Sequence, residues 1–232
     1  MLAITTVHQD GFLKYGENCL ESLSKHFPGK IVAYLEAEEA PIDRVEYRDF
    51  FSIPGVSAFL ERISKISGAD GKGPNGYDYR YDANKFCRKV FAQDACFDED
   101  QYVFWFDADC VVQQPMSEKF LRGLLSGPFT YLGRNGEMAY TETGWLGFDT
   151  KAEGFEQFRS KYLDYFTSGR IFSQLKGWHD CIAFDYARQG IRGKNLTPSA
   201  WGVQQVVIDS VLAPYLVHLK GNRKFRGTSV GV

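Results

Sequence analysis

The stretch Tyr102-Val103-Phe104-Trp105-Phe106-Asp107-Ala108-Asp109-Cys110 sets an unbroken apolar and aromatic run directly before two aspartates. Such a run lacks the alternation of a half-buried strand. It is the pattern of a central strand covered on both faces, the usual situation in parallel sheets of α/β proteins. Ligands in open α/β sheets bind outside the carboxyl ends of the strands, where this run delivers its acids. Residues two apart in extended chain share a face, so Asp107 and Asp109 can converge on one point. Converging carboxylates repel each other unless a cation neutralises them, and hard oxygen ligands suit Mg²⁺ or Mn²⁺ carrying phosphates. A helix-capping Asp beside an unrelated surface Asp is the plainer account of a bare Asp-x-Asp; the apolar strand before it favours the metal.

The segments on either side supply the rest of an α/β domain. Residues 2–7 are a short β-rich run, and residues 15–27 place Cys19, Leu20 and Leu23 on one helical face until Pro28-Gly29 stops the helix. Residues 30–35 and 44–51 read as further strands, so a mostly parallel central sheet flanked by helices is expected. Residues 68–76 hold four glycines and a proline, which predicts a mobile loop. Tyr77, Tyr79 and Tyr81 then alternate with Asp78, Arg80 and Asp82, as in an edge strand with one aromatic face or a ligand-stacking surface. Asp82 can cap the helix that follows, through about residue 95. Beyond the aspartates, strands are expected over 129–132, 138–148 and 214–219, and helices over 153–166 and 180–189.

The 232 residues are 44% hydrophobic and 24% charged, an ordinary globular composition that excludes disordered and collagenous classes. A formal charge of −2 removes any global attraction to nucleic acid. No apolar stretch nears the ~20 residues of a membrane span. Five cysteines at wide spacing, without a Cys-x-x-Cys pair, give zinc and redox motifs no support and read as free thiols. The opening residues enter a strand rather than a leader, so a cytoplasmic protein is expected, at a membrane periphery if its acceptor is lipid-linked. One α/β domain over residues 1–232 is the expectation.

A second segment, His218-Leu219-Lys220-Gly221-Asn222-Arg223-Lys224, follows the last expected strand with an imidazole, a glycine and several cations. Together with the early β-α-β order, the Asp-x-Asp after a mid-chain strand and the turn Glu142-Thr143-Gly144, it resembles nucleotide-sugar glycosyltransferases of the Rossmann-like GT-A fold. The resemblance is to the compact retaining enzymes of the glycogenin and bacterial galactosyltransferase kind. It implies a nucleotide-binding part over about 1–112 and an acceptor-binding part over about 113–232. It further implies that Asp107, Asp109 and His218 hold Mn²⁺ or Mg²⁺ on a nucleotide-diphosphate sugar, UDP-sugar above others. Lys220, Lys224 and Gly221 would neutralise the leaving diphosphate. Thr5, Thr6, Ala108, Glu142 and Gly144 would line the donor site, with Lys85 and Lys89 reaching it from a basic helix whose alternative is an exposed face. The acceptor would be a carbohydrate, glycolipid or protein hydroxyl.

Two segments depart from that family's pattern: Glu142-Thr143-Gly144 stands where Asn-Ser-Gly is usual, and His179-Asp180-Cys181 where an Asp-Gln pair is usual. Asp180 suits a general base in an inverting reaction if it sits beside the acceptor hydroxyl, and a retaining reaction if it lies under the donor sugar. Capping the helix after it is an adequate role by itself. Trp145, Trp178 and His179 could form an acceptor platform, although core packing explains any single tryptophan. His8 follows the first strand, at the edge of the expected base pocket. Phe104 to Val111 also fits the opening of haloacid-dehalogenase-like phosphatases, with Asp107 as nucleophile; that motif normally opens its domain, whereas here about a hundred residues precede it. A non-catalytic sugar-binding module is the third alternative, and it needs no paired aspartates with a histidine.

Overall fold

The computed structural model describes residues 1–36, 41–136, 140–202 and 206–220. Strand β1 (Leu2–Val7) leads through a helical turn α1 (Gln9–Gly11) and a π-helical turn (Phe12–Gly16) into α2 (Glu17–His26), β2 (Lys30–Leu35) and β3 (Val45–Asp49). Helix α3 (Val56–Ile63), a hairpin of β4 (Lys72–Gly73) and β5 (Gly76–Tyr77), and α4 (Ala83–Cys96) precede the central strand β6 (Tyr102–Phe106) and the short β7 (Cys110–Val112). Then come α5 (Glu118–Leu124), β8 (Phe129–Leu132), β9 (Glu142–Asp149), α6 (Phe155–Thr167), α7 (Ile171–Gln174), α8 (Asp180–Ala187), β10 (Lys194–Asn195) and β11 (Leu216–His218).

Seven strands form one sheet in the order β10, β8, β9, β6, β1, β2, β3. The pairs of β1 with β2 and β6, of β2 with β3 and of β8 with β10 are parallel; β9 runs antiparallel to both of its neighbours. The expected α/β class with a mostly parallel sheet is therefore observed. Strand β6 is covered on both sides, as its composition requires. Val103 and Trp105 join the core with Phe59, Val90, Phe158 and Phe184, whereas Phe104 and Phe106 join the opposite core with Leu23, Leu121 and Trp145. Each fully buried aromatic contributes about 1.5–3 kcal/mol.

Several expected boundaries shift for local reasons. The first helical segment begins at Gln9 and passes through π geometry at Phe12–Gly16, where a side chain on Gly16 would strike Val7 at 2.5 Å. Only Gly76–Tyr77 of the tyrosine run is strand; Tyr79–Tyr81 is a 3-10 turn, so the expected edge strand is replaced. The glycine-rich residues 68–76 combine an anchored turn with a projecting hairpin: Ala69 is buried, its carbonyl accepting from Asn84 N, whereas β4 and β5 are exposed. Gly71 takes φ +74° with Tyr77, Asp78 and Asp82 packed against it. Asp82 caps α4 as expected, accepting from Lys85 N at 2.8 Å. Strand β9 starts at Glu142, while the preceding residues 137–139 lie outside the described residues.

Candidate active site

The chain turns sharply after β6. Asp107 N donates to Gly144 O at 2.8 Å, and Cys110 N closes the turn by donating to Asp107 O at 2.8 Å. Strand β7 then pairs antiparallel with β11, setting His218 opposite Cys110, and Leu219 N donates to Asp109 O at 2.8 Å. This pairing carries His218 from the far end of the described chain to the aspartates. Its Nε2 lies 3.0 Å from Asp109 Oδ1 and 3.9 Å from Asp107 Oδ2.

Glu142 supports the imidazole from behind. Its Oε1 lies 3.4 Å from His218 Nδ1 and accepts from Gly144 N at 3.1 Å, while Oε2 pairs with Arg134 and Lys220. Gly144 is required by contact: a Cβ there would stand 2.3 Å from His218 Cε1. Gly144→Ala should therefore push the imidazole away from Asp109, at an overpacking cost of about 1–3 kcal/mol. Calorimetry should show weaker Mn²⁺ binding by this variant, and unchanged Mn²⁺ affinity would detach His218 from the site.

Lys89 joins two carboxylates beneath this cluster. Its Nζ lies 2.8 Å from Asp107 Oδ1 and 2.5 Å from Asp180 Oδ2, and it donates to Thr143 O and Oγ1 at 2.9 and 3.0 Å. The Thr143 hydroxyl donates onward to Asp180. Trp105 Nε1 donates to the same Asp107 Oδ1 at 2.7 Å, which leaves Oδ2 as the oxygen nearer His218. This placement follows from strand parity: Trp105 and Asp107 leave β6 toward the face that α4 covers.

Burial opposes charge on Lys89, yet Asp107 and Asp180 outweigh it and hold the ammonium well above its ordinary range. Burial likewise would raise Asp180, but Lys89 and Thr143 keep it below the usual carboxylate value. Burial would lower His218, and Asp109, Glu142 and Asp107 more than offset it, so the imidazole is held above its ordinary value. For Glu142, burial is outweighed by His218, Lys220 and Arg134, and its carboxyl sits low. Four acids, two lysines, an arginine and a histidine thus interlock at one end of the sheet.

The spacing of the cluster bears on the divalent ion that the family resemblance implies. Adjacent ligands of a six-coordinate ion at 2.0–2.1 Å stand about 3 Å apart, and the Asp109 to His218 separation of 3.0 Å matches that spacing. The carboxylates suit Mn²⁺ or Mg²⁺, and an imidazole beside them favours Mn²⁺, the softer of the two. Cys110 lies within reach of Asp109 and His218, but burial and the two aspartates push its thiol far up. The protonated thiol donates to Gly144 O at 3.3 Å. Asp109 and His218 fit an ion between them, whereas Asp107, 3.9 Å from the imidazole and outside the cluster that Asp109 and His218 form with Cys110, would have to swing closer to join them.

A cleft beside the aspartates is lined by Thr6, His8, Tyr15, Lys85, Lys89, Asp107 and Ala108, together with Phe86, Arg88, Trp105 and Asp109. His8 and Tyr15 meet across it, Nε2 to hydroxyl, at 2.8 Å. Thr6 faces the cleft whereas Thr5 is completely buried, so the expected pair of threonines reduces to one. Lys89 is not on an exposed helix face but at the buried end of the cleft. Trp145 is 0% exposed within the core against Phe104, which rules out its place in an accessible acceptor platform. His179 is also buried, between the rings of Tyr79, Phe86 and Tyr140, while Trp178 is half-buried. Asp180 does not cap α8: His179 holds that position, and the Asp180 carboxylate turns to Lys89 and Thr143 instead. Gly221 and Lys224 lie outside the described residues.

Sequence reasoning passed over Arg88, Thr143 and Arg134. Arg88 had a signal, because it shares a helical face with Lys85 and Lys89; it pairs with Glu36 and so fixes the cleft wall. Arg134 had none, since its partner Glu142 is reached only through the fold of the sheet.

No protein-family model matches the sequence, and no curated protein matches it. Solved structures do. The apo form of the glycosyltransferase GlyE from Streptococcus pneumoniae TIGR4 matches with a TM-score of 0.51 at 13% identity, covering 95% of this chain and 54% of that one. A second GlyE crystal structure gives 0.50 at 14% identity, with 95% and 55% covered. The chain thus spans about half the length of the GlyE structures it matches. At such identities the likeness is one of fold, and the mixed α/β architecture built on a seven-stranded, mostly parallel sheet is that of a glycosyltransferase of known structure.

Proposed function

We propose that this protein is a glycosyltransferase that moves a sugar from a nucleotide-diphosphate donor, a UDP-sugar above others, to an acceptor hydroxyl with the help of Mn²⁺ or Mg²⁺. One observation carries the reading: Asp107, Asp109 and His218 meet at the carboxyl end of β6, beside a cleft with lysines in its wall. Asp107, Asp109 and His218 would hold the ion, which when bound supplies positive charge against the departing diphosphate.

The chain's own groups do the positioning. Lys89 and Trp105 fix one oxygen of Asp107, Glu142 fixes the imidazole of His218, and Lys85 adds a cation to the cleft. Lys220, with Gly221 and Lys224 beyond the described residues, remains a proposed partner of the leaving group. Asp180 is fully buried and held by Lys89 and Thr143, so it is poorly placed to take a proton from an acceptor hydroxyl. That arrangement supports the retaining outcome over the inverting one. Oδ1 of Asp107 is held by Trp105 and Lys89 and Oδ2 is left open, which would serve a nucleophile or a metal ligand alike; His218 beside Asp109 is what favours the metal.

Calorimetry with UDP and GDP, each with Mn²⁺ or with a chelator, tests the reading. Binding of one nucleotide in preference to the other, and only with the ion, is expected; equal binding under all four conditions, or none, would sink it.

A further inference from the structure

Three tyrosines stand out of the surface next to the cleft. Tyr77 is 57%, Tyr79 56% and Tyr81 38% exposed, and between residues 77 and 82 no other large apolar side chain faces water. The rings are held in place rather than trailing. The Tyr77 hydroxyl donates to Asp82 Oδ2 at 2.9 Å, which ties it to the cap of α4. The 3-10 turn Tyr79–Tyr81 docks on the segment leading into α8, with Trp178 N donating to Arg80 O at 2.6 Å.

On one side of that contact Tyr81 stands edge-on to Trp178, ring centroids 5.3 Å apart, and Trp178 in turn rests on Phe172. On the other side Tyr79 leans on His179 at 6.0 Å. His179 is buried, and neither of its ring nitrogens has a hydrogen-bond partner among the described residues. Phe86, a wall of the cleft, touches the same imidazole at 5.8 Å. Tyr79 and the cleft wall thus share one buried imidazole between them, and Asp180 follows it directly in the chain.

Resting on the glycosyltransferase reading, we propose that Tyr79 and Tyr81 form a carbohydrate-binding platform that seats the acceptor glycan beside the donor cleft, with His179 and Trp178 as positioning residues beneath them. The chemistry fits a sugar. A flat aromatic face with a polar edge suits a pyranose, which presents C–H groups on its faces and hydroxyls around its rim. Asp78 and Arg80, paired at 2.6 Å between the rings, are the planar polar groups that can meet those hydroxyls. The exposed large apolar residues of the run are tyrosines alone, which is why a sugar is favoured over an aliphatic protein patch.

An array of oligosaccharides of varied sequence, probed with the whole protein, tests this. The wild type should be retained on a subset of glycans. Tyr79→Ala and Tyr81→Ala should each lower that retention about tenfold or more, and Tyr79→Phe, which keeps the ring, should not. Tyr79→Ala and Tyr81→Ala give up edge contacts with His179 and Trp178, so a small drop in unfolding midpoint is expected while the fold is kept. Nucleoside diphosphate binding with Mn²⁺, measured on the same variants by calorimetry, should also be unaffected. No retention of the wild type, or equal retention of the alanine variants, overturns the platform. Loss of nucleotide binding in Tyr79→Ala would assign the ring to the donor and overturn it as well. Tyrosine-dependent glycan retention by a protein that binds no nucleotide would instead remove the transferase reading and leave the platform standing.

Discussion

Lys89→Met should lower the unfolding free energy by about 3–5 kcal/mol, the loss expected when one member of a buried charge network is removed and its partners stay behind. The reason lies in the count of charges. Lys89 is the cation that touches both Asp107 and Asp180, and Asp180 has no exposed surface through which water could replace it. Methionine matches the lysine stem in volume, so the change removes the ammonium, together with its place 5.4 Å over the Trp105 ring, and little bulk. For a chain of this length the loss corresponds to roughly 6–20 °C in unfolding midpoint. Asp180→Asn alone should cost less, because Lys89 keeps Asp107 and the two Thr143 oxygens as partners. In the double variant Lys89→Met, Asp180→Asn, the losses should fall short of additive, since the second change removes the charge that the first stranded. Urea unfolding of the three variants decides the matter. Additive losses, or a loss below about 1 kcal/mol for Lys89→Met, would mean that water enters the network.

That network was the least legible part of the sequence, for a physical reason. The apolar strand Tyr102–Phe106 and the two aspartates after it are local features: burial on both faces writes itself into five consecutive residues, and the acids mark the strand end. The α/β class could be read from the same local patterns. A contact between Lys89 on α4 and Asp180 on α8 leaves no such trace, because both look like ordinary helix residues until the two helices are packed. His218 was found through its family resemblance, yet its delivery by the pairing of β7 with β11 was not anticipated. The errors over Thr5 and Trp145 share one origin. Period-two alternation shows that neighbours in a strand face opposite ways, but it does not say which face carries the site. Thr5 turned into the sheet and Thr6 toward the cleft, and Trp145, paired with Phe106, turned into the core. Residues 68–76 show a different limit: glycine content marked a break in helix and strand, but not that Gly71 leaves room for the Tyr77 ring ahead of the exposed hairpin of β4 and β5.

Asp109→Asn should leave the fold nearly intact while removing metal-dependent nucleotide binding and lowering sugar transfer by a factor on the order of 10²–10³, the scale of losing one preorganised charge-stabilising group. Two opposing effects keep the stability change small. The variant loses the charge pairing of Asp109 with His218, which weakens the fold, but it also relieves the repulsion among Asp107, Asp109 and Glu142 gathered around one imidazole. The amide oxygen still occupies the place of Oδ1, and the backbone bond from Leu219 N to residue 109 is untouched. Affinity for a hard divalent ion depends instead on anionic oxygen, which an amide does not supply. Glu61→Gln on α3 is the matching control, because it removes one carboxylate that is already solvent-facing and leaves the strand ends alone. Nucleotide titrations with and without Mn²⁺, run beside thermal unfolding for both variants, separate a site defect from a folding defect. If Asp109→Asn still bound nucleotide more tightly with Mn²⁺ than with a chelator, the ion would have to be held elsewhere. The pairing of β7 with β11 would then serve stability alone, and the Asp-x-Asp would revert to a turn that ends a strand.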